Sequence, residues 1–302
     1  MRFSVWPGLQ QPWAAVLDEV QHAEATGWDG AYVADHFMGD GTGLGVVDAP
    51  TLEATAALAA LAASTTRLRL GTLVLGNTYR HPAVLAKWAA TVDHVSGGRL
   101  LLGIGAGWQE NEHEQYGIEL PPPGPRLERF EEACRVLRGM LRDGRTTVQG
   151  AHYRVTDALA EPKPVQDHLP LLIGGKGDRM MGIVARHADE WNMWGLADVI
   201  AERSALLERR CEALGRDAST IARSAQALVL LTDDRSAAET FLAGTGGRAA
   251  IAGTVDQVAD AVAAWQEVGL DEVIIPDFTL GSGTRRLERL DAIIEQVSPN
   301  FR

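Results

Sequence analysis

Residues 171–179, LLIGGKGDR, combine closely spaced glycines with two cations. The apolar start is typical of a buried strand, and the glycines and cations that follow it are Gly174, Gly175, Lys176, Gly177 and Arg179. The backbone N–H groups of such a turn, together with the N-terminus of a helix that begins near Asp178, would bind an anion. The spacing is not that of a Walker loop, which has four residues between its first glycine and a Gly-Lys-Ser/Thr end. We therefore expect a phosphate-binding turn, with a ligand-free tight turn as the alternative.

His36 directly follows a second strand-like segment, residues 31–34, and is preceded by Asp35. A histidine titrates near neutral pH, so His36 is a candidate proton donor or acceptor. A histidine that only hydrogen-bonds its own loop is the alternative. The loop beyond it carries glycines at positions 39, 41, 43 and 45. We expect these glycines to let a cover over the site open and close.

A third segment, GIGAGW at 103–108, has glycines at alternate positions. Its third glycine is wrongly spaced for a dinucleotide-binding fingerprint, so we interpret the segment as backbone that approaches a flat ligand. The residues that follow could imitate metal ligands: Glu110, Glu112, His113 and Glu114. No His or Cys pair with metal-ligand spacing accompanies them, so we expect a solvated loop and no metal. The sequence has no Gly-x-Ser-x-Gly elbow and does not indicate acyl transfer.

Strand-like and helix-like segments alternate along the chain and would position these loops. Strands are predicted at 2–5, 31–34, 68–75, 100–104, 171–173, 190–193, 225–231 and 272–275. Helices are predicted at 13–26, 52–64, 82–96, 127–142, 178–188, 198–214, 236–243, 256–268 and 284–297, with an irregular region at 105–125 and a hairpin at 146–155. The pattern favours one α/β domain over 1–302, a (β/α)8 TIM barrel with insertions after strand 4 and before strand 5. A doubly wound sheet is the alternative.

Composition narrows the class of protein. The chain has 302 residues, of which 46% are hydrophobic and 23% charged, as in an ordinary globular protein. A formal charge of −12 argues against non-specific binding of nucleic acid. The N-terminus does not resemble a signal peptide, and the apolar run 56–63 is too short for a membrane span. We expect a cytoplasmic protein in which Cys134 and Cys211 are reduced and buried.

Three longer segments together resemble the bacterial luciferase-like monooxygenase superfamily, and within it the oxidoreductases that use the deazaflavin coenzyme F420. They are RLRLGTLVLGNTYRHPAVLAKWAATVDHVSGGRLLLGIGAGWQENEHEQYGI, RLERFEEACRVLRGML and LLIGGKGDRMMGIVARHADEWN. The resemblance runs from YVADHF to GLDEVIIP and covers nearly the whole chain.

The resemblance implies a barrel with coenzyme F420 in its C-terminal mouth. The cofactor phosphate would lie on the turn 174–177 and Arg179, and the central ring against strand three, at a cis peptide bond between Leu73 and Val74. Further cofactor contacts would be Asp35, Gly105, Ala106 and Gly107. His36 would lie near the reactive face of the ring and act as the catalytic residue.

One position departs from the family pattern. Sugar-phosphate dehydrogenases of this branch carry a catalytic glutamate after the third glycine of the strand-four loop, where this chain has Trp108. This departure puts a sugar-phosphate substrate in doubt. It predicts a more apolar substrate pocket, to which Trp108 and Phe37 contribute.

The resemblance implies hydride transfer between reduced F420 and a small organic substrate. An FMN-dependent monooxygenase on the same barrel is the alternative, and a non-catalytic flavin-binding protein is a third reading. A separate reductase that supplies reduced cofactor is an expected partner. We also expect a homodimer through the helices 52–64 and 82–96, because the first of these is apolar on more than one face.

Overall fold

The computed structural model describes residues 1–41 and 45–302. Its strands are β1 (Arg2–Trp6), β2 (Gly30–Val33), β3 (Arg69–Thr72), β4 (Leu75–Gly76), β5 (Leu100–Gly105), β6 (Thr146–Gln149), β7 (Arg154–Ala158), β8 (Leu171–Gly174), β9 (Glu190–Trp194), β10 (Ala222–Gln226), β11 (Leu228–Leu231), β12 (Ala250–Gly253) and β13 (Glu272–Pro276). Its α-helices are α1 (Trp13–Thr26), α2 (Ala54–Ser64), α3 (Pro82–Ser96), α4 (Glu110–Tyr116), α5 (Pro123–Arg142), α6 (Asp178–His187), α7 (Ala197–Glu212), α8 (Arg235–Ala243), α9 (Val255–Glu267) and α10 (Thr284–Gln296). Short 3-10 helices lie at Ala218–Thr220, Asp277–Thr279 and Ser298–Asn300.

Eight parallel strands close into a barrel in the order β1, β2, β3, β5, β8, β9, β10 and β13. The closing contact pairs β13 with β1, where Phe3 lies opposite Val273. An open sheet would end in two unpaired edges, so closure excludes the doubly wound alternative and confirms the predicted (β/α)8 barrel. β4 continues β3 beyond a two-residue interruption and pairs with β5.

Side chains fill the barrel and close the end at which its strands begin. A separate apolar cluster is formed by Trp6, Tyr32, Leu73, Leu101, Leu172 and Ile274. At the N-terminal ends of the strands, the buried Glu272 accepts hydrogen bonds from Ser4 (2.5 Å) and Tyr32 (2.9 Å), and Arg69 forms an ion pair with Glu190. This packing leaves the opposite end of the barrel for a ligand.

Two predicted regions differ from the structure. The irregular region 105–125 contains the helix α4. The strand predicted at 225–231 is divided, because β10 ends at Gln226 while β11 leaves the barrel and pairs with β12. A continuous apolar run does not show where a chain passes from one sheet to another. The segment 228–253 is therefore a third insertion, additional to the two predicted ones.

The remaining predictions on the fold concern smaller features. The hairpin before strand five is present as the antiparallel pair β6 and β7. Cys134 and Cys211 are free and buried, as predicted. Within the described ranges, no helix is long and apolar enough to cross a membrane.

Candidate active site

A cavity of about 480 Å³ lies at the C-terminal mouth of the barrel. Most of the predicted site residues line it: Asp35, His36, Leu73, Val74, Gly105, Ala106, Gly107, Trp108, Gly174, Gly175 and Lys176. Gly177, Arg179 and Phe37 are not among its lining residues. An adjoining cavity of about 300 Å³ shares Trp6 and His36 with the first.

The glycines of β5 and β8 make room for Val74. The Leu73–Val74 peptide bond is cis, as predicted, and lies between β3 and β4. A Cβ atom on Gly105 would lie 2.7 Å from Cγ2 of Val74, and one on Gly174 would lie 3.0 Å from Cγ1. Larger residues at these two positions would therefore collide with the Val74 side chain. The glycines allow β4, β5 and β8 to meet around one apolar wall of the cavity.

The turn after β8 presents unpaired donors. Gly175 has a φ of 137°, a backbone conformation that favours glycine, and its N–H donates to the Asn192 carbonyl at 3.0 Å. In residues 1–41 and 45–302, no acceptor pairs with the backbone N–H of Lys176 or Gly177, and none pairs with the Lys176 ammonium. α6 begins directly after these groups without a side-chain cap. Free N–H groups, a cation and a helix N-terminus together form an anion site.

Arg179 does not belong to that anion site in the structure. Its guanidinium forms an ion pair with Glu128 of α5 at 3.0 Å, and about half of its side chain is exposed. Asp178, at the start of α6, is paired with Arg203 at 2.7 Å. Of the two predicted cations, only Lys176 lines the cavity.

Glu112 holds His36, and local sequence analysis missed this contact. Glu112 is fully buried on α4 and accepts hydrogen bonds from His36 Nδ1 at 2.9 Å, from the Phe37 backbone N–H at 2.8 Å and from the Tyr79 hydroxyl. Burial raises the pKa of Glu112, but the hydrogen bonds from His36, Tyr79 and Phe37 outweigh this effect and lower it. An ionised carboxylate only accepts hydrogen bonds, so the proton of neutral His36 lies on Nδ1 and Nε2 is left unprotonated.

The expectation of a solvated loop at 110–114 is wrong for Glu112 and His113. His113 is also buried, between the Gln109 carbonyl (Nδ1, 2.6 Å) and the Thr78 hydroxyl (Nε2, 2.8 Å). Both residues lie on the inner face of α4, while Glu110 and Glu114 are exposed. A helical interpretation of this acidic run would have separated the two pairs. In the described part of the chain, no group of His, Cys, Asp or Glu is arranged to hold a metal ion.

Asp35 and Phe37 have different surroundings from those expected. The Asp35 carboxylate is paired with Arg80, at 2.5 and 3.0 Å, and accepts the Gly76 N–H at 3.0 Å, so it does not orient His36. Burial raises the pKa of Asp35, although Arg80 and the Gly76 N–H oppose this effect. Phe37 stacks on Tyr116 and also contacts Tyr79, each with 4.6 Å between ring centroids. It supports α4 and does not line the cavity.

Trp108 lines the cavity next to His36, and the centroids of the two rings are 5.6 Å apart, edge to face. Of the loop glycines predicted to allow movement, Gly41 and Gly45 have φ values of 75° and 102°. Gly43 lies outside the described residues. Opening of this loop stays a prediction.

Several cavity residues carry no sequence signal. They are Trp6, Met180, Asn192, Met193, Trp194, Gln226 and Arg248. Arg248 comes from the insertion 228–253, which the sequence did not predict. Its contribution to the mouth of the barrel depends on how that insertion folds back.

Comparisons with known proteins identify the family of the chain. Residues 1–251 match the family model of luciferase-like monooxygenases. An uncharacterised protein of Mycobacterium tuberculosis is 31% identical over 245 residues, which are 80% of this chain and 76% of that protein. An F420-dependent glucose-6-phosphate dehydrogenase of Microbacterium testaceum is 35% identical over 178 residues, 58% of this chain and 50% of the relative. A solved F420-dependent secondary alcohol dehydrogenase, 19% identical, superposes with a TM-score of 0.86 and covers 100% of this chain and 99% of its own. The chain belongs to the luciferase-like monooxygenase family of oxidoreductases.

Proposed function

We propose that this protein is an F420-dependent oxidoreductase that transfers a hydride between the reduced cofactor and a small organic substrate. The observation that carries the proposal is the pairing of His36 with Glu112. A buried, ionised carboxylate fixes Nδ1 of His36, and the histidine lines a cavity large enough for a flat cofactor. A protein that only stored the cofactor would have no use for a histidine held in one tautomer.

The cavity residues fit a flavin-type phosphate ester. The backbone N–H groups of Lys176 and Gly177 and the Lys176 ammonium would bind its phosphate, because these donors have no partner within the described chain. Val74 would support one face of the ring. When bound, the cofactor supplies or accepts a hydride. The adjoining cavity of about 300 Å³ leaves space beside His36 for a substrate.

His36 would provide the proton that balances hydride transfer. Addition of a hydride to a carbonyl or polarised double bond leaves an anion, which takes a proton from Nε2 of protonated His36. Before this transfer the Glu112 carboxylate stabilises the imidazolium of His36, and after it the same carboxylate accepts the remaining proton's hydrogen bond from Nδ1. In the reverse direction, neutral His36 accepts the hydroxyl proton through the same Nε2.

The choice of F420 over FMN rests on the F420-dependent relatives. The family description, luciferase-like monooxygenase, supports the FMN-dependent alternative on the same barrel. The two functions differ in their reaction with oxygen, since a monooxygenase activates oxygen on reduced flavin and a deazaflavin enzyme carries only hydride.

Titration of the purified protein with both cofactors tests the proposal. We expect F420 to bind at least about tenfold more tightly than FMN, and oxygen consumption with reduced FMN to stay at the rate seen without protein. Lys176→Gln should weaken F420 binding by about tenfold, whereas the matched control Arg179→Gln should leave it within about twofold. Tighter binding of FMN, together with protein-dependent oxygen consumption, would refute the F420 assignment in favour of a monooxygenase.

A further inference from the structure

Among the described residues, one cation of the active-site cavity has no role assigned so far. Its acidic and basic lining residues are Asp35, His36, Lys176 and Arg248. Asp35 is neutralised by Arg80, His36 is paired with Glu112, and Lys176 belongs to the turn proposed for the cofactor phosphate. Arg248 is left, although the chain as a whole carries a formal charge of −12.

Arg248 reaches the cavity from the insertion after β10. It lies just before β12, and its side chain extends to the loop after β2, where Nη2 is 3.6 Å from Oδ2 of Asp40. That distance is too long for a direct hydrogen bond, and a partly solvated ion pair at this separation contributes little. Only 23% of the Arg248 side chain is exposed.

The Arg248 guanidinium is short of hydrogen-bond acceptors. It has five N–H donors, yet within residues 1–41 and 45–302 none of them has an acceptor at hydrogen-bond distance. Arg99, by contrast, donates hydrogen bonds to Ser96, Ala62, Thr65 and Leu68. Arg248 therefore presents unpaired donors to the cavity, where a ligand or water can accept hydrogen bonds from them.

The surroundings of Arg248 define what it would bind. Much of the cavity wall is apolar and aromatic, including Trp6, Trp194 and Met193, and the rings of Trp6 and Trp194 are 5.7 Å apart. A planar guanidinium with free donors pairs with a carboxylate through two parallel hydrogen bonds. Such a site accepts an apolar body that carries one carboxylate.

We propose that Arg248 binds the carboxylate of the substrate, and that the substrate is therefore a small apolar or aromatic organic acid. This inference rests on the proposed function, because it names the substrate class of the same cavity. Arg248 would exchange its long contact with Asp40 for the carboxylate. It is a specificity-determining residue that does not take part in proton transfer.

Binding of benzoate and of its neutral analogue benzamide, measured by calorimetry on the F420-saturated protein, tests the proposal. We expect benzoate to bind at least about tenfold more tightly than benzamide, and Arg248→Gln to abolish this preference. Arg248→Lys should retain part of it, because the charge remains but the two-pronged geometry is lost. The control Arg235→Gln, on the exposed surface of α8 in the same insertion, should behave like the wild type.

Three results would overturn the inference. Benzoate and benzamide could bind equally well to the wild type, or the preference could survive Arg248→Gln. Alternatively, Arg248→Gln could weaken F420 binding by about tenfold or more, which would assign the arginine to the cofactor. Failure of the proposed function is distinguishable, because the wild type would then bind FMN more tightly than F420, or bind neither cofactor. Benzoate and benzamide binding to the cofactor-free wild type and to cofactor-free Arg248→Gln would still decide the role of Arg248.

Discussion

A buried pair of carboxyl groups makes the stability of this protein depend on pH in an unusual direction. Glu19 of α1 and Asp277 after β13 are both buried and share one cation, Arg286, whose Nη1 lies 2.8 Å from Glu19 and 2.7 Å from Asp277. Burial, and next the neighbouring Asp277 charge, raise the pKa of Glu19 to about 8 in spite of Arg286. When Glu19 is protonated, the single guanidinium of Arg286 faces a single carboxylate, that of Asp277.

The sign and size of the effect follow from proton linkage. The unfolded chain holds the Glu19 carboxyl near its ordinary pKa of 4.5. Between that value and about 8, the folded protein binds a proton that the unfolded chain has released, so the free energy of unfolding falls as pH rises. The slope from this one group is about 1.4 kcal/mol per pH unit. Its stabilising contribution is complete below the unfolded pKa and is lost as pH rises through the folded one.

Glu19→Gln removes this titration while keeping an oxygen for Arg286 and an N–H for Asp277. The free energy of unfolding of the variant, minus that of the wild type, should therefore rise by about 1.4 kcal/mol per pH unit between about pH 5.5 and 7.5. Urea unfolding at three pH values measures this difference. Glu239→Gln, which removes one charge from the exposed surface of α8, serves as the reference. A difference that stays constant or falls with pH would refute the reasoning.

Three further predictions concern the site and assembly. Gly175→Asp should weaken cofactor binding at least about tenfold in a fluorescence titration, because its carboxylate would repel the phosphate. The control Gly177→Ala, whose Cβ meets nothing within 4 Å, should bind the cofactor as the wild type does. His36→Ala should bind F420 normally but lower the single-turnover rate about a hundredfold with a confirmed substrate, and wild-type turnover would make the histidine structural. Val84 of α3 is 65% exposed, whereas Leu58 and Leu61 of α2 are buried within the chain, so Val84→Glu should shift the proposed homodimer towards monomer in light scattering and the control Leu214→Glu should not. A wild-type protein that is monomeric at micromolar concentration would contradict the proposed dimer.

Features that depend on nearby residues were predictable from the sequence. α1 occupies the predicted range, and it ends at Gly27, which adopts the left-handed conformation with φ 90°. Buried barrel strands such as β1, β5 and β13 appear in the sequence as short apolar runs between helical patterns. The polar sequence of β10, ARSAQ, does not, and the strand predicted at 225–231 covers only its last two residues. Because parallel strands place their C-terminal ends at one mouth, the three glycine-rich loops could be assigned to one site before any contact was known.

The partner of His36 could not be predicted in this way. The two residues are 76 positions apart, and Tyr79 is 33 positions from Glu112. In the sequence, Glu112 stands in a run of charged and polar residues, a composition typical of a solvated surface. Its burial follows from three donors, which come from the loops after two different strands and offset the cost of removing a carboxylate from water.

The positions of Arg248 and Glu112 could not be predicted from the sequence for the same reason. Both come from insertions that the barrel rules do not position, and both meet residues of the loop after β2. Glu112 accepts hydrogen bonds from three donors and holds His36 in one tautomer, a role that does not depend on which substrate is bound. In the described part of the chain Arg248 has no acceptor at hydrogen-bond distance, and its position depends on the third insertion. The barrel and the Glu112 contact would thus define the reaction, while the insertion that carries Arg248 would define the substrate. We therefore expect substitutions in 228–253 to change which acid is bound more strongly than they change proton transfer.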